Sequence, residues 1–524
     1  MLHIEDEQVR LHLLQGNFGL EKESLRVTGE GRMAHTPHPF PGDKYIVRDF
    51  CENQTEINTG VHQSAAGAVE ELRFHHQRII DTLQALPQKE YLWPSSNPPY
   101  IRDEEDIPIA QFTGAQAAKT DYRNYLSDKY GRYKMTFSGI HVNYSFSDDL
   151  LRADWAAAQR VGSSVTSAPA GADSAAACSE IPPSAAGPEN AASGGETAPH
   201  GNTAASAPSA AAPESASAPS SGGVSPTPED FASHRSRLYL DLAQALVSCG
   251  WILTAVTAAS PVLGSSYFEK GGIAGVDAPV ITHRDVFTGM ASVRSSELGY
   301  WNAFAPIFDY RNERTYADSI EMYVRRGFIQ AASELYYPIR LKPPGENTLE
   351  NLRRGGVNHI ELRMFDLNPL DPAGLDKRDV IFAQLLIIYL ACTPHRPLTD
   401  GDQVQAVQNY KSAARYDLKT VKIVTPEGES VPAADEAARL LDAMRTFFRA
   451  LPEGKPFHAP CPDFPEGGNE GMSTIDKIEE ILDFEYEKIV HPAKRYAWQI
   501  RAGLRASHAE DMLALAKERQ DGAQ

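Results

Sequence analysis

Three stretches of alternating sequence set ionisable side chains on one face of a strand. FGLEKESLRV (residues 18–27) places Glu21 and Glu23 together beside Leu25. SGIHVNYSF alternates His141, Asn143 and Ser145 with Ile140, Val142, Tyr144 and Phe146. VNHIELRMFDLNP sets Glu361 with Arg363, opposite Ile360 and Leu362. A fourth stretch, RDFCENQTEINTG, crowds Asp49, Glu52 and Glu56 into eight residues. Side chains at i and i+2 leave a strand about 6.5 Å apart, and at an effective dielectric near 20 two like charges there repel by roughly 2–3 kcal/mol. On a solvated surface that repulsion is inconsequential. Directed into one cavity, such carboxylates require raised pKa values, an Arg or Lys partner, or divalent cations. Oxygen ligands with one imidazole suit Mg²⁺ or Mn²⁺. Taken singly, each motif reads first as a solvated strand face, a core histidine or an ordinary ion pair. Their joint occurrence is what points to a site.

The elements that must position these groups are a mixture of strands and helices. Alternation and turn residues predict strands at 18–27 and 32–36 around the turn TGEG, and at 54–59, 134–146 and 357–366. Helical spacing covers 5–15, 68–86, 231–249, 375–392, 435–450 and the charged run from 484 onward. There is no GxxxxGK[ST] phosphate loop, GGIAG (271–275) lacks the full dinucleotide fingerprint, and neither HExxH nor GxSxG occurs. A nucleotide, if bound, is held in some other way.

With 524 residues, 42% hydrophobic and 23% charged, the chain can bury a sizeable core. Its net charge of −19 argues against a protein that coats nucleic acid or an anionic membrane. The apolar stretches at 245–259 and 380–391 are shorter than the roughly 18–20 residues that span a bilayer, and read as buried core helices. Five cysteines, Cys51, Cys178, Cys249, Cys392 and Cys461, are scattered singly, with no CxxC pair. No basic segment followed by an apolar run opens the sequence. Together these predict a reducing, cytoplasmic setting. Between Val161 and Pro228 the composition turns to Ala, Ser, Pro and Gly without a single Lys or Arg, which predicts a disordered surface insertion. The expected organisation is therefore 1–160 and 229–400 as the two parts of a catalytic domain, 161–228 as the insertion, and 401–524 as a helical C-terminal region.

The segments GLEKESLRV, DFCENQTEI, LWPSSNPPYI, YRNYLSDKYG, SGIHVNYSF, WILTAVTAASP, SVRSSELGY, ELYYPIRLK and RRGGVNHIELRMFDLNPLDPAGL resemble, in that order, glutamate-cysteine ligase of the bacterial type. The resemblance runs from about residue 18 to about 392 and is looser beyond. It implies an α+β fold, a glutamine-synthetase-like funnel in which a curved antiparallel sheet carries the site and helices surround it. It also implies an ATP- and Mg²⁺-dependent carboxylate-amine ligase, with Mn²⁺ as the alternative ion. Such an enzyme joins the γ-carboxylate of glutamate to the amine of cysteine through a γ-glutamyl phosphate, the first step of glutathione biosynthesis. By position, the resemblance implies metal ligands at Glu21, Glu23, Asp49, Glu56, His141 and Glu361. It puts a catalytic arginine at Arg363 and an amino-acid pocket around Tyr122, Arg123 and Tyr336. Where bacterial relatives carry an arginine and two aromatic residues, this chain has Ser248, Ala255 and Val256, so Arg294 and Arg340 are the guanidiniums left to compensate. A ligase for another amine, or a metal-binding regulatory protein, are the rival readings.

Overall fold

A computed structural model describes residues 1–166, 230–271, 280–282, 285–299, 301–451, 461–464 and 473–522. The chain divides into a large unit, Met1–Arg160 with Glu229–Gln524, and a second, Val161–Pro228. The expectation of a disordered insertion at 161–228 falls almost wholly outside the described residues.

The strands, in chain order, are β1 (Gly16–Thr28), β2 (Ile46–Arg48), β3 (Gln54–Asn58), β4 (Glu90–Leu92), β5 (Gly139–Phe146), β6 (Val262–Gly264), β7 (Val280–Thr282), β8 (Asp285–Phe287), β9 (Ile339–Lys342), β10 (His359–Asp366), β11 (Lys422–Val424) and β12 (Ser430–Pro432). Seven of them form the principal sheet in the order β2-β3-β1-β5-β10-β9, with β4 added beside β1, and every pairing is antiparallel. The α+β architecture expected from the sequence is the one found.

Alternation explains why this sheet is stable. Leu20, Ile140, Val142, Tyr144, Phe146, Ile360 and Leu362 are all buried in one apolar core, and the helices Ala65–Gln84, Phe231–Cys249, Trp251–Thr257 and Lys377–Cys392 contribute to that same core. The last of these is buried along nearly its whole length from Asp379 to Cys392 and is predominantly apolar there, and Asp376 caps it by accepting from the Arg378 amide. Among the described residues no single helix is long and apolar enough to cross a membrane. Phe231–Cys249 and Trp251–Thr257 combine that length and apolar content only as a pair bent by 55°, and both are packed into the core.

Two predicted strands change. Residues 32–36 form no strand; the return chain makes only the Val27–Met33 bridge, with Thr28 donating to the Arg32 carbonyl and Ala34 to the Arg26 carbonyl, because β3 occupies that edge of β1 up to Leu25 and leaves just Arg26–Thr28. The strand predicted at 134–146 begins only at Gly139, after a 3₁₀ turn at Lys134–Thr136. Residues 401–524 are mainly helical, interrupted by the β11–β12 hairpin, and they belong to the same unit as the sheet.

Candidate active site

The polar face of the sheet forms one wall of a cavity of about 350 Å³. Register places the functional residues in a row across the strands. Glu56 on β3 lies opposite Glu23 on β1, Glu21 opposite His141 on β5, and Asn143 opposite Glu361 on β10, which in turn lies opposite Arg340 on β9. A bulge after Leu362 shifts the β10 register just where Arg363 stands, the kind of irregularity that re-aims a side chain beside a site. The residues assigned to the site by the resemblance, with the two compensating arginines, all line this cavity: Glu21, Glu23, Asp49, Glu56, His141 and Glu361; Arg363; and Tyr122, Arg123, Tyr336, Arg340 and Arg294, whereas Glu52 does not and pairs with Arg48.

The cavity has two electrostatic halves. In the first, His141 Nδ1 lies 2.9 Å from Glu21 Oε2 and 3.3 Å from Glu361 Oε1. The Asn143 amide donates to Glu21 Oε1 at 3.0 Å. Arg363 Nη1 donates to Glu361 Oε1 at 2.6 Å, and Lys342 Nζ stands 2.9 Å from Glu361 Oε2. Burial works against ionising Glu361, but Arg363, Lys342 and Arg340 together hold its carboxyl well below the usual carboxylate range. Burial likewise lowers His141, with Arg363 adding to it, so the imidazole is neutral and able to ligate.

The second half is Glu23, Asp49 and Glu56. Among the described residues none of the three is ion-paired to a Lys or Arg. Glu23 accepts from the Gly139 amide at 2.9 Å. Burial, and then Asp49, push its carboxyl up to about 8. Glu56 is raised well above the ordinary range by burial and by Asp49, Glu21 and Glu23. Carboxyls crowded this way hold protons unless cations replace them.

Glu21, His141 and Glu361 each offer one donor atom within 4.8 Å of the others, the spacing of ligands around a single cation. Hard oxygens with one neutral imidazole, next to carboxyls that lack a cationic partner, fit Mg²⁺ or Mn²⁺.

The surrounding arginines are fixed by backbone. Arg123 donates to the Asp49 carbonyl at 2.6 Å, and its guanidinium lies 4.7 Å from the centre of the Phe112 ring. Arg340 donates to the carbonyls of Ser333 and Leu335, and Ser333 donates to the Tyr122 phenol oxygen at 3.0 Å. Arg294 donates to the Arg363 carbonyl at 3.0 Å. Its guanidinium occupies the space a side chain at position 139 would take: a Cβ there would sit 2.1 Å from the Arg294 Cζ. That close approach is why β5 starts with glycine.

Several participants were missed in the sequence. Lys342 had a signal, since it alternates with Arg340 in IRLK and so shares its face. Thr254, Trp301, Tyr337 and Tyr410 also line the cavity, but they come from separate helices and loops, and no spacing could have joined them. Of the three departures from the bacterial pattern, Ser248, Ala255 and Val256, none lines the cavity, whereas Arg294 and Arg340 both do.

The fold is that of the glutamate-cysteine ligases. The Francisella tularensis glutamate–cysteine ligase, solved in complex with AMP, aligns with a TM-score of 0.69 at 19% identity, over 97% of this chain and 89% of that one. A bifunctional glutathione synthetase from Pasteurella multocida aligns at 0.68 with 22% identity, over 98% of this chain and 54% of that one. In sequence, the glutathione biosynthesis bifunctional protein of Listeria innocua is 30% identical over 505 residues, 95% of this chain and 53% of the relative. The chain spans about half the length of the bifunctional relatives it matches. A model of the glutamate-cysteine ligase family matches residues 1–168 and 323–413 of this chain.

Proposed function

We propose that this chain ligates the γ-carboxylate of glutamate to the amine of L-cysteine with ATP, through a γ-glutamyl phosphate, as the first step of glutathione biosynthesis. The observation that carries this reading is the ion pair of Arg363 with Glu361 inside a carboxylate and imidazole cluster, in a chain that this family's model matches. Glu21, His141 and Glu361 would hold one Mg²⁺ or Mn²⁺, and Glu23, Asp49 and Glu56 would supply ligands for further ions. Bound cations neutralise polyphosphate oxygens, which is the chemistry they contribute to phosphoryl transfer.

The remaining steps belong to the protein's own residues. Arg363, already oriented by Glu361, presents its free donors to the phosphoryl group as charge builds on it. Arg340 and Lys342 extend that positive wall. Arg123, Tyr122 and Tyr336 bind the amino-acid substrate, with the guanidinium facing its α-carboxylate. The γ-carboxylate oxygen attacks the terminal phosphorus and ADP leaves. The cysteine amine then attacks the acyl carbon, and phosphate leaves with the C–O bond pair. Positioning does most of the work, because ATP supplies the leaving group. A cytoplasmic location accords with the unpaired thiols of Cys51, Cys249, Cys392 and Cys461.

The test is product analysis. ADP release should require glutamate and rise with cysteine, and hydroxylamine in place of cysteine should give γ-glutamyl hydroxamate in step with ADP. AMP as the nucleotide product, or stimulation by some other amine and not by cysteine, would overturn the proposal.

A further inference from the structure

The side of β1 turned away from the active site is apolar at Leu20, yet it also carries Lys22, only 3% exposed, between Glu21 and Glu23. Lys22 reaches into a second cavity, of about 220 Å³, bounded by the helix Ala65–Gln84, the loop after β10 and the C-terminal helix His508–Asp521. Arg73 and Arg519 line the same space.

An ammonium has three donors. Lys22 Nζ donates one to the Ala373 carbonyl at 2.6 Å and a second to His76 Nδ1 at 3.1 Å. Arg519 donates to the carbonyls of Pro369 and Asp371 at 2.6 and 3.1 Å. Among the described residues neither cation is paired with a carboxylate. The single acid lining the cavity, Asp371, lies 3.6 Å from Arg73, which also donates to Glu70 outside the cavity at 2.7 Å. Burial, reinforced by Lys22 and Arg519, holds His76 well below its ordinary range, so it adds no charge and offers no negative partner. The loop closes tightly on the ammonium: Gly374 has φ +81, and a Cβ there would stand 3.4 Å from Lys22 Nζ. Leu92, Trp93 and Leu367 supply an apolar floor.

A lysine used only to staple this loop would be cheaper to bury with a carboxylate beside it, or to replace by an apolar residue of similar volume. Three basic side chains around one cavity-lining acid, two of them (Lys22 and Arg519) without a carboxylate partner among the described residues and Lys22 lowered to about 7 by burial, walled by apolar surface, are instead the arrangement that receives an anion. We propose that this cavity binds a small oxyanion, the carboxylate or phosphate group of a metabolite, between Lys22, Arg73 and Arg519. The ligand would grip β1 from behind the two glutamates that face the active site. This inference does not depend on the reaction assigned to that site.

The experiment is calorimetric titration of the full-length protein with orthophosphate and, separately, with succinate. Arg73→Gln and Arg519→Gln should each weaken binding of at least one of them by 10-fold or more, while Arg363→Met retains it. Loss with phosphate alone identifies a phosphate-bearing ligand, and loss with succinate identifies a carboxylate. Arg73 is half-exposed, so Arg73→Gln tests the site even if Arg519→Gln fails to fold. Absence of binding to the native protein, equal binding by both glutamine variants, or loss confined to Arg363→Met would overturn the inference.

Discussion

Two regions of this molecule gather buried carboxylates, and only one of them opens onto a cavity. Away from the active site, Asp379 and Glu485 share the ammonium of Lys488, at 2.6 and 2.7 Å, and all three are at most 2% exposed. Lys488 also donates to the Val256 carbonyl, and the Tyr496 hydroxyl donates to Asp379. Every donor of the lysine is thus used inside the protein. The charge mismatch is absorbed by a proton, since burial raises Glu485 well above its usual value and Asp379 is raised with it. In the active-site cavity the Glu361 half is paired in a comparable way, but among the described residues Glu23, Asp49 and Glu56 have no ion-paired Lys or Arg, and they line an open cavity. The number of acidic residues is therefore no guide to function. A central lysine with every donor used, and enclosure, mark the structural cluster; carboxylates that face an open volume without an ion-paired Lys or Arg among the described residues mark the functional one.

The sharpest way to break this comparison is to remove the central cation of the sealed cluster. Lys488→Met leaves two acids buried without a counter-charge and is expected to cost about 3–5 kcal/mol of stability, measured by denaturant unfolding, while turnover per folded molecule stays at the native level. Arg363→Met is expected to behave in the opposite way. Its kcat should fall by about 10²- to 10³-fold, as for loss of a preorganised electrostatic partner, with little change in the unfolding midpoint. An Arg363→Met protein of normal turnover would remove the catalytic assignment.

Glu21→Gln and Glu361→Gln are each expected to raise the Mg²⁺ concentration for half-maximal activity by about 10-fold or more, read from metal titrations of steady-state rate. The smallest effect belongs to Glu485→Gln. Because the folded pKa of Glu485 lies above its ordinary value of 4.5, its contribution is present in acid and is lost as pH rises through the folded pKa. The variant should therefore match the native protein near pH 4 and be the more stable of the two at pH 8, with the metal requirement unaltered.

Much of the site was legible because β-strand periodicity is local. Glu21 with Glu23, His141 with Asn143, and Glu361 with Arg363 each share a face that two-residue alternation alone defines. The convergence of those faces was not readable from alternation. It depends on the strand order β3-β1-β5-β10-β9, which joins segments hundreds of residues apart, and it was foreseen only through the family resemblance. The helices Phe231–Cys249 and Lys377–Cys392 were readable from their apolar spacing, and the structure adds that Asp230 and Asp376 cap them. The strand expected at 32–36 had suitable residues, but β3 leaves only Arg26–Thr28 of that β1 edge for it to join. Lys22 was passed over because a lysine inside an alternating strand reads as a solvated position, and only the packed structure encloses it.

The central claim is that Glu23, Asp49 and Glu56, together with Glu21, His141 and Glu361, form a site completed by divalent cations. The most direct measurement is Mn²⁺ binding by calorimetry near pH 7 in buffers of different ionisation enthalpy, which counts the protons exchanged. Glu23 is held at about 8 and Glu56 well above its ordinary value, so cations entering the cavity must displace protons. The account predicts net proton release on binding, binding weakened in Glu21→Gln and Glu361→Gln, and native behaviour in Glu485→Gln. Binding without proton release and indifferent to Glu21 and Glu361, or no binding at all with nucleotide present, would contradict it.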